Sequence, residues 1–239
     1  MTTLKHLARL LVRDSGTHYI ENGRRRIFIA MRRLQDIIPT GARVLDIGGH
    51  DSAKRLGYSF KEYTQAVVPC QYFFENRNTL DIRTDPLPYE DNTFDVVVSS
   101  ESIEHFWLQR DGGMISWDGI ENFWRESHRV LKPNGLFFCS TRNRSCVFAW
   151  MMAAQGEELQ VAFSSPTRCG HVRELCKLDF ERIAQSTGLF TRHMIETESS
   201  IPKPLQARVN LFRPKVERLL SRSIKPDEEH DTIFFTSRK

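Results

Sequence analysis

The stretch that most limits what this chain can become runs from Arg43 to Ser52, Arg-Val-Leu-Asp-Ile-Gly-Gly-His-Asp-Ser. A short apolar run that closes on an acid and two glycines reads as a buried strand delivering its backbone into a tight turn. Glycine has no side chain to hold the backbone away from a ligand, so such a turn can approach a nucleotide-like molecule closely. Strand ends of this kind are common. The weight of this one comes from the order of the segments around it.

Before it, Leu4, Leu7, Ala8 and Leu11 recur at helical spacing. A second amphipathic helix carries Ile27, Met31, Leu34 and Ile38 on one stripe and ends at Pro39 and Gly41. Their apolar faces are of ordinary core size, so both are expected to cover a sheet or cap a pocket rather than lie on a membrane. After Arg43 to Ile47, a helix is expected from Asp51 to about Phe60, and the second strand is either Thr64 to Val68 or Tyr72 to Phe74. A strand near Thr79 to Ile82 leads into the polar turn Pro86 to Asn92, and Phe94 to Ser99 carries three consecutive valines, as a strand buried on both faces would. A helix with Ile120, Phe123, Trp124, Ser127 and Leu131 on one stripe stops at Pro133-Asn134-Gly135, and Leu136 to Ser140 is the next strand. Asp179 is placed to cap a helix ending at Gly188, and Phe190 to Glu196 and Thr232 to Thr236 are late strands. This alternation predicts an α/β fold, a doubly wound, mostly parallel sheet with helices on both faces.

With 239 residues, 40% of them hydrophobic, the chain can bury one good core. Residues 1–41 are expected to form a helical cap and 42–239 the main domain, with a basic helical segment at about 201–226 before the last strand. Cys70, Cys139, Cys146, Cys169 and Cys176 are odd in number and contain no Cys-x-x-Cys pair, which favours a reducing, cytoplasmic setting over a disulfide scaffold or zinc ribbon. The longest apolar run, Cys146 to Ala154, is too short to span a bilayer. The net charge of +4 is unevenly placed: Arg24, Arg25, Arg26, Arg32 and Arg33 crowd one segment, and Lys203, Arg208, Arg213, Lys215, Arg218, Arg222 and Lys225 another. These read either as anion-attracting surfaces, for phosphate or an anionic lipid face, or as solvated helix faces.

Four motifs then occur in register: Val44-Leu45-Asp46-Ile47-Gly48-Gly49, Leu87 to Val97 (Leu-Pro-Tyr-Glu-Asp-Asn-Thr-Phe-Asp-Val-Val), Glu101-Ser102-Ile103-Glu104-His105, and Arg129-Val130-Leu131-Lys132-Pro133-Asn134-Gly135. Together they resemble the class I S-adenosylmethionine-dependent methyltransferases, of the type 11 kind, over roughly Ala42 to Phe190. The resemblance implies a Rossmann-like seven-stranded sheet with the last strand antiparallel and the ligand across the carboxyl ends of the strands. It implies that Asp46, Gly48 and Gly49 line the methionine portion of S-adenosylmethionine, that Asp81 and Ile82 approach the adenine, and that Ser99 and Ser100 face the methyl group. Two departures stand out. His50, Asp51 and Ser52 replace the further glycines of the first motif, and the ribose acid has only Glu75 as candidate between Tyr63 and Leu80. If the second strand is Thr64 to Val68, no acid follows it directly.

Methyl transfer from a sulfonium is an in-line displacement, and a hydroxyl acceptor gains from a base or a metal that takes its proton. Glu101, Glu104 and His105 stand at i, i+3 and i+4, one face if helical. Their pattern is similar to that of the ubiquinone-pathway O-methyltransferases and the enzymes that methylate RNA 3′ ends, where it binds a divalent ion, so Mg or Zn is an expected ligand. The same residue types also occur in methyltransferases with no known metal. His171 and His105 are the candidate catalytic imidazoles, with Arg168 and Arg173 beside His171 as candidate anion holders. Phe106, Trp107, Met114 and Trp117 surround a Gly112-Gly113 loop and either stack on a flat acceptor or pack the core.

The expected function is methyl transfer to a small-molecule acceptor, O-methylation of a sugar or other polar metabolite, phosphate-bearing ones included. The competing readings are a metal-dependent RNA-terminus methyltransferase, against which the missing RNA-binding signature argues, and a non-catalytic scaffold that kept the fold.

Overall fold

The computed structural model describes residues 15–48, 62–66, 81–109, 114–147, 149, 173–201 and 203–239. Along the chain lie α1 (Ser15–Ile37), β1 (Arg43–Ile47), β2 (Glu62–Ala66), β3 (Phe94–Ser100), the short pair β4 (Leu108–Gln109) and β5 (Ile115–Ser116), and α2 (Asp118–Val130). They are followed by β6 (Leu131–Arg142), α3 (Lys177–Thr187), β7 (His193–Glu198), α4 (Lys203–Leu220) and β8 (Thr232–Arg238).

The main sheet has the order β2-β1-β3-β6-β8-β7. β1 runs parallel to β2 and β3, and β3 runs parallel to β6. β8 is antiparallel to both its neighbours, as the resemblance implied for the last strand. Six strands of the expected seven are present among the described residues. Side chains alternate across this sheet, so β1, β3, β6 and β8 each feed two cores. Val44, Val96, Val98, Leu136, Phe138 and Phe234 pack under Ala30, Met31 and Leu34 of α1. Leu45, Ile47, Val97, Phe137, Cys139, Ile233 and Phe235 face Phe123 and Trp124 of α2 and Phe180, Ile183 and Ala184 of α3. Burial on both faces is why three valines run consecutively in β3. Trp124 is fully buried at the centre of the second core, with ring centroids 4.8 to 6.5 Å from those of Phe123, Phe137, Phe180, Phe190 and Phe235.

The sequence motifs are fastened to one another by hydrogen bonds. The Asp95 carboxylate accepts from the Arg43 backbone N–H at 2.8 Å and from Lys132 Nζ at 2.7 Å, so one side chain ties three motifs. Burial would raise its pKa, and these two donors together outweigh that and hold it below the usual carboxylate range. Arg129 donates to the carbonyls of Leu87 and Tyr89 and to Asp91, pinning the turn before β3 onto α2. At Gly119 an added Cβ would lie 2.1 Å from the Phe106 carbonyl, so only glycine lets α2 start against the loop after β3.

Several expected boundaries move. The second strand is the earlier alternative, shifted to Glu62–Ala66. Asp81 and Ile82 belong to a turn, not a strand, because the Asp81 carbonyl accepts from Thr84 and Asp85 N–H groups. α2 stops at Val130, ahead of Pro133-Asn134-Gly135, since Leu131 already pairs with Phe94. Asp179 is not the first cap of α3. Cys176 is, and Asp179, three residues on, accepts the Cys176 N–H at 2.8 Å. His128, on α2, is half-buried, 5.1 Å from the Phe190 ring, and burial pushes its imidazole pKa down. The expected helices Leu4–Leu11 and Asp51–Phe60 lie outside the described residues, as does most of Cys146 to Ala154. No described helix is long and apolar enough to cross a membrane.

Part of each basic run is paired with acids, some distant in sequence and some near. Arg33 bonds Glu196 at 2.7 Å and Glu198 at 2.9 Å on β7, Arg213 bonds Glu217 and Glu229, and Arg222 bonds Glu228. Arg26 is buried and bonds buried Glu101 at 2.6 Å, tying α1 to the carboxyl end of β3.

Truncating the aromatic hub, Trp124→Ala, is expected to cost about 3–5 kcal/mol in urea unfolding. Arg26→Met strands a buried carboxylate and should cost a similar amount, about 3–5 kcal/mol, most of it recovered when Glu101 is also made Met, a cycle read in the same assay.

Candidate functional site at the carboxyl edge of the sheet

Parallel pairing carries β1 and β3 to the same edge, with Asp46 opposite Val98. Two residues on, Gly48 turns with φ +72°, a left-handed conformation that suits glycine. The turn after β3 folds back to meet it. Ser102 Oγ lies 2.9 Å from the Gly48 carbonyl and 3.0 Å from the Ser100 carbonyl, so one hydroxyl joins the two turns. A Cβ added at Gly48 would meet Ser102 Oγ at 2.6 Å and Ser102 Cβ at 2.7 Å, so glycine is the residue this approach permits.

Glu101, between Ser100 and Ser102, has φ +53°. A non-glycine residue there costs about 1–2 kcal/mol, and its N–H donating to Ser140 O at 2.8 Å and its carboxylate bonding Arg26 help hold it in place. Burial pushes the Glu101 carboxyl pKa up, aided by the nearby Glu104 carboxylate, while the Arg26 guanidinium pulls the other way. Burial also drives the Cys139 thiol well above its ordinary value, which makes it an inert core residue.

The hydroxyls of Ser99, Ser100 and Ser140 and the Oε1 atom of Glu101 are buried and have no hydrogen-bond partner among the described residues. All four sit at the carboxyl ends of β3 and β6, where Ser100 stands opposite Ser140. Buried polar atoms are normally satisfied, and a concentration of unsatisfied ones next to a glycine turn is the arrangement a bound polar ligand completes. The site thus fits a nucleotide-like cofactor by two independent features, the turn that excludes a Cβ and the hydroxyls that lack partners.

The expected metal triad does not assemble. Glu101 lies outside the single 3-10 turn Ile103–His105 that holds the other two, so the three do not share a helical face. Glu101 bonds Arg26, and Glu104 Oε2 accepts from Thr141 Oγ1 at 2.8 Å. Among the described residues no three His, Cys, Asp or Glu side chains gather to hold an ion. His105 is half-buried, its backbone N–H on the Ser102 carbonyl.

Asp46 is buried at the end of β1 and Ser99 and Ser100 end β3, so these expected residues do converge. Asp81 instead grips Arg83 through both carboxylate oxygens, at 2.8 and 2.7 Å. Ile82 packs in the core, and its carbonyl accepts from Asn122 at 2.9 Å. Gly49, Glu75, His171, Arg168 and the His50-Asp51-Ser52 departure lie outside the described residues. Of the four residues around the Gly112-Gly113 loop, Phe106 and Trp107 pack in the core, Trp117 is partly buried against it and Met114 is exposed. Trp107 and Trp117 meet with centroids 4.4 Å apart, Trp107 Nε1 donates to the Arg173 carbonyl at 2.7 Å, and the Arg173 guanidinium lies over both rings.

Sequence reasoning missed the roles of Ser102 and Arg26. Ser102 has no sequence signal, since its partner is a backbone carbonyl 54 residues away. Arg26 has one: four residues before Ala30 and eight before Leu34, it falls on the buried stripe of α1 and so needs a buried partner.

Residues 60–139 match the family model of the methyltransferase domain. A curated protein of Mycolicibacterium smegmatis named as a probable S-adenosylmethionine-dependent methyltransferase is 30% identical over 142 residues, 58% of this chain and 44% of that protein. The match thus spans less than half of that relative's length. Among solved structures, a Thermotoga maritima S-adenosylmethionine-dependent methyltransferase, a possible histamine N-methyltransferase, superposes with a TM-score of 0.54 at 14% identity, covering 98% of this chain and 99% of that one. An Archaeoglobus fulgidus S-adenosylmethionine-dependent methyltransferase gives 0.52 at 16% identity, covering 95% and 100%. With the sheet order and the Gly48 turn, these matches show that the chain has the fold of the S-adenosylmethionine-dependent methyltransferases and is similar to their domain model over residues 60–139.

Proposed function

We propose that this chain binds S-adenosylmethionine across the carboxyl ends of β1 and β3 and transfers its methyl group to a small polar acceptor, a hydroxyl of a sugar or related metabolite. The observation that carries the reading is the joint between Gly48 and Ser102, flanked by buried hydroxyls that have no partner among the described residues. When bound, the cofactor supplies an electrophilic methyl carbon on a sulfonium. The chain's part is to hold groups in line and keep water out. Gly48 keeps the backbone open, Ser102 locks the two turns together, and Ser99 and Ser100 offer hydroxyls at the end of β3. A hydroxyl acceptor gives up a proton as it attacks, and His171 and His105 are the imidazoles assigned to receive it. An oxygen acceptor accords with the polar edge of β3 and β6.

Calorimetric titration with S-adenosylmethionine and S-adenosylhomocysteine tests this. Affinities on the order of micromolar are expected, and absence of binding by folded protein refutes the reading. Gly48→Ala, which forces a Cβ into Ser102, should weaken both ligands at least about thirtyfold, and Ser102→Ala about tenfold, roughly 1.4 kcal/mol.

A further inference from the structure

Glu101 is oddly endowed for a residue of structural use alone. It is buried, it adopts a left-handed conformation, and among the described residues only one of its carboxylate oxygens finds a partner. The bonded oxygen faces Arg26, but that guanidinium is not exclusive to it, for it also lies in the fields of Asp231 and Glu174. Glu174 in turn bonds Arg142 at 3.1 Å. Asp231 takes its hydrogen bonds from the backbone N–H and hydroxyl of Ser200, both neutral. The carboxylates of Glu101, Glu174 and Asp231 thus all act on the Arg26 guanidinium, and all four groups are buried. Glu104, also buried, adds to the negative field at Glu101. The second oxygen, Oε1, is buried and has no partner among the described residues, like the hydroxyls of Ser100 and Ser140 at the same strand ends.

The location gives this charge a use. Ser102, the next residue, touches the Gly48 turn at 2.9 Å, so Glu101 stands one residue from the glycine turn of the proposed cofactor site. We propose that Glu101 is the residue by which the cofactor site discriminates charge, favouring a cationic centre at the methyl-bearing position over a neutral one. The inference rests on the methyltransferase reading above. Of the two cofactor states, the donor carries a sulfonium and the spent product a neutral thioether, the positive charge having left with the methyl group. A buried carboxylate oxygen lacking a donor attracts the first and gains nothing from the second, because Coulomb attraction is strong where water is excluded. Carboxylate oxygens also accept the weak C–H hydrogen bonds of carbons attached to a cation. Glu101 would thereby help exchange product for fresh donor.

The test compares two stable probes by calorimetry on the whole chain: S-adenosylhomocysteine, neutral at sulfur, and sinefungin, in which an amine-bearing carbon replaces the methyl sulfonium. The readout is the ratio of their dissociation constants, which general damage to the site leaves unmoved because it weakens both alike. Glu101→Gln is expected to cut the preference for sinefungin by at least about fivefold, with the homocysteine form changed by less than about threefold, and Glu101→Asp to retain the preference. A smaller change in the ratio, or parallel weakening of both ligands, overturns the proposal. If Glu101→Gln does not fold, Asp231→Asn serves instead, with a shift of the same sign of at least about twofold expected and a smaller one overturning it. Failure of folded wild type to bind either probe would instead remove the methyltransferase reading itself.

Discussion

The site depends on the parallel pairing of β1 with β3. Because the two strands run side by side with Asp46 opposite Val98, their turns emerge at one edge, and a single hydroxyl, that of Ser102, can bridge them. Antiparallel strands would have sent the two turns to opposite ends of the sheet. The pairing is held by apolar burial on both faces, with α1 on one side and α2 and α3 on the other, so the hydrophobic effect that builds the sheet also aims the glycine turn.

Against this apolar frame the carboxyl edge is expensively polar. Arg26 and Glu101 are both withdrawn from water, Glu101 is in a strained conformation, and the hydroxyls of Ser99, Ser100 and Ser140 lack partners among the described residues. A buried ion pair contributes little net stability compared with apolar residues of the same shape. Such features persist where the surrounding structure enforces them and a ligand uses them. Here the enforcement comes from α1 on one side and from the hydrogen bond of the Glu101 N–H to Ser140 on the other.

The motifs owe their order along the chain to contacts between them. Asp95 gathers Arg43 and Lys132, and Arg129 gathers the turn from Leu87 to Asp91, so each motif supplies the partner another needs. These were legible as patterns because they are short and local. The sheet, the two helical faces and the convergence of Asp46, Gly48, Ser99 and Ser100 were legible for the same reason: periodicity and turn chemistry act over a few residues. The metal triad misled because i, i+3, i+4 spacing carries a shared face only on an α-helix, and a left-handed residue followed by a 3-10 turn breaks it at Glu101. The two readings of the first basic run stayed open in the sequence because the acids that Arg33 bonds, Glu196 and Glu198, stand on a strand more than 160 residues away.

The sequence by itself determined a mostly parallel α/β sheet with a glycine turn at the end of its first strand, because alternating apolar runs and a Gly-Gly after an acid leave the backbone few other courses. Tertiary structure alone decided which charges meet. That Arg26 reaches Glu101, that Arg173 lies on the tryptophans, and that Ser102 closes on Gly48 depend on elements brought together only when the sheet forms. Electrostatic and hydrogen-bond partners are chosen by distance in space, and no local pattern records that distance.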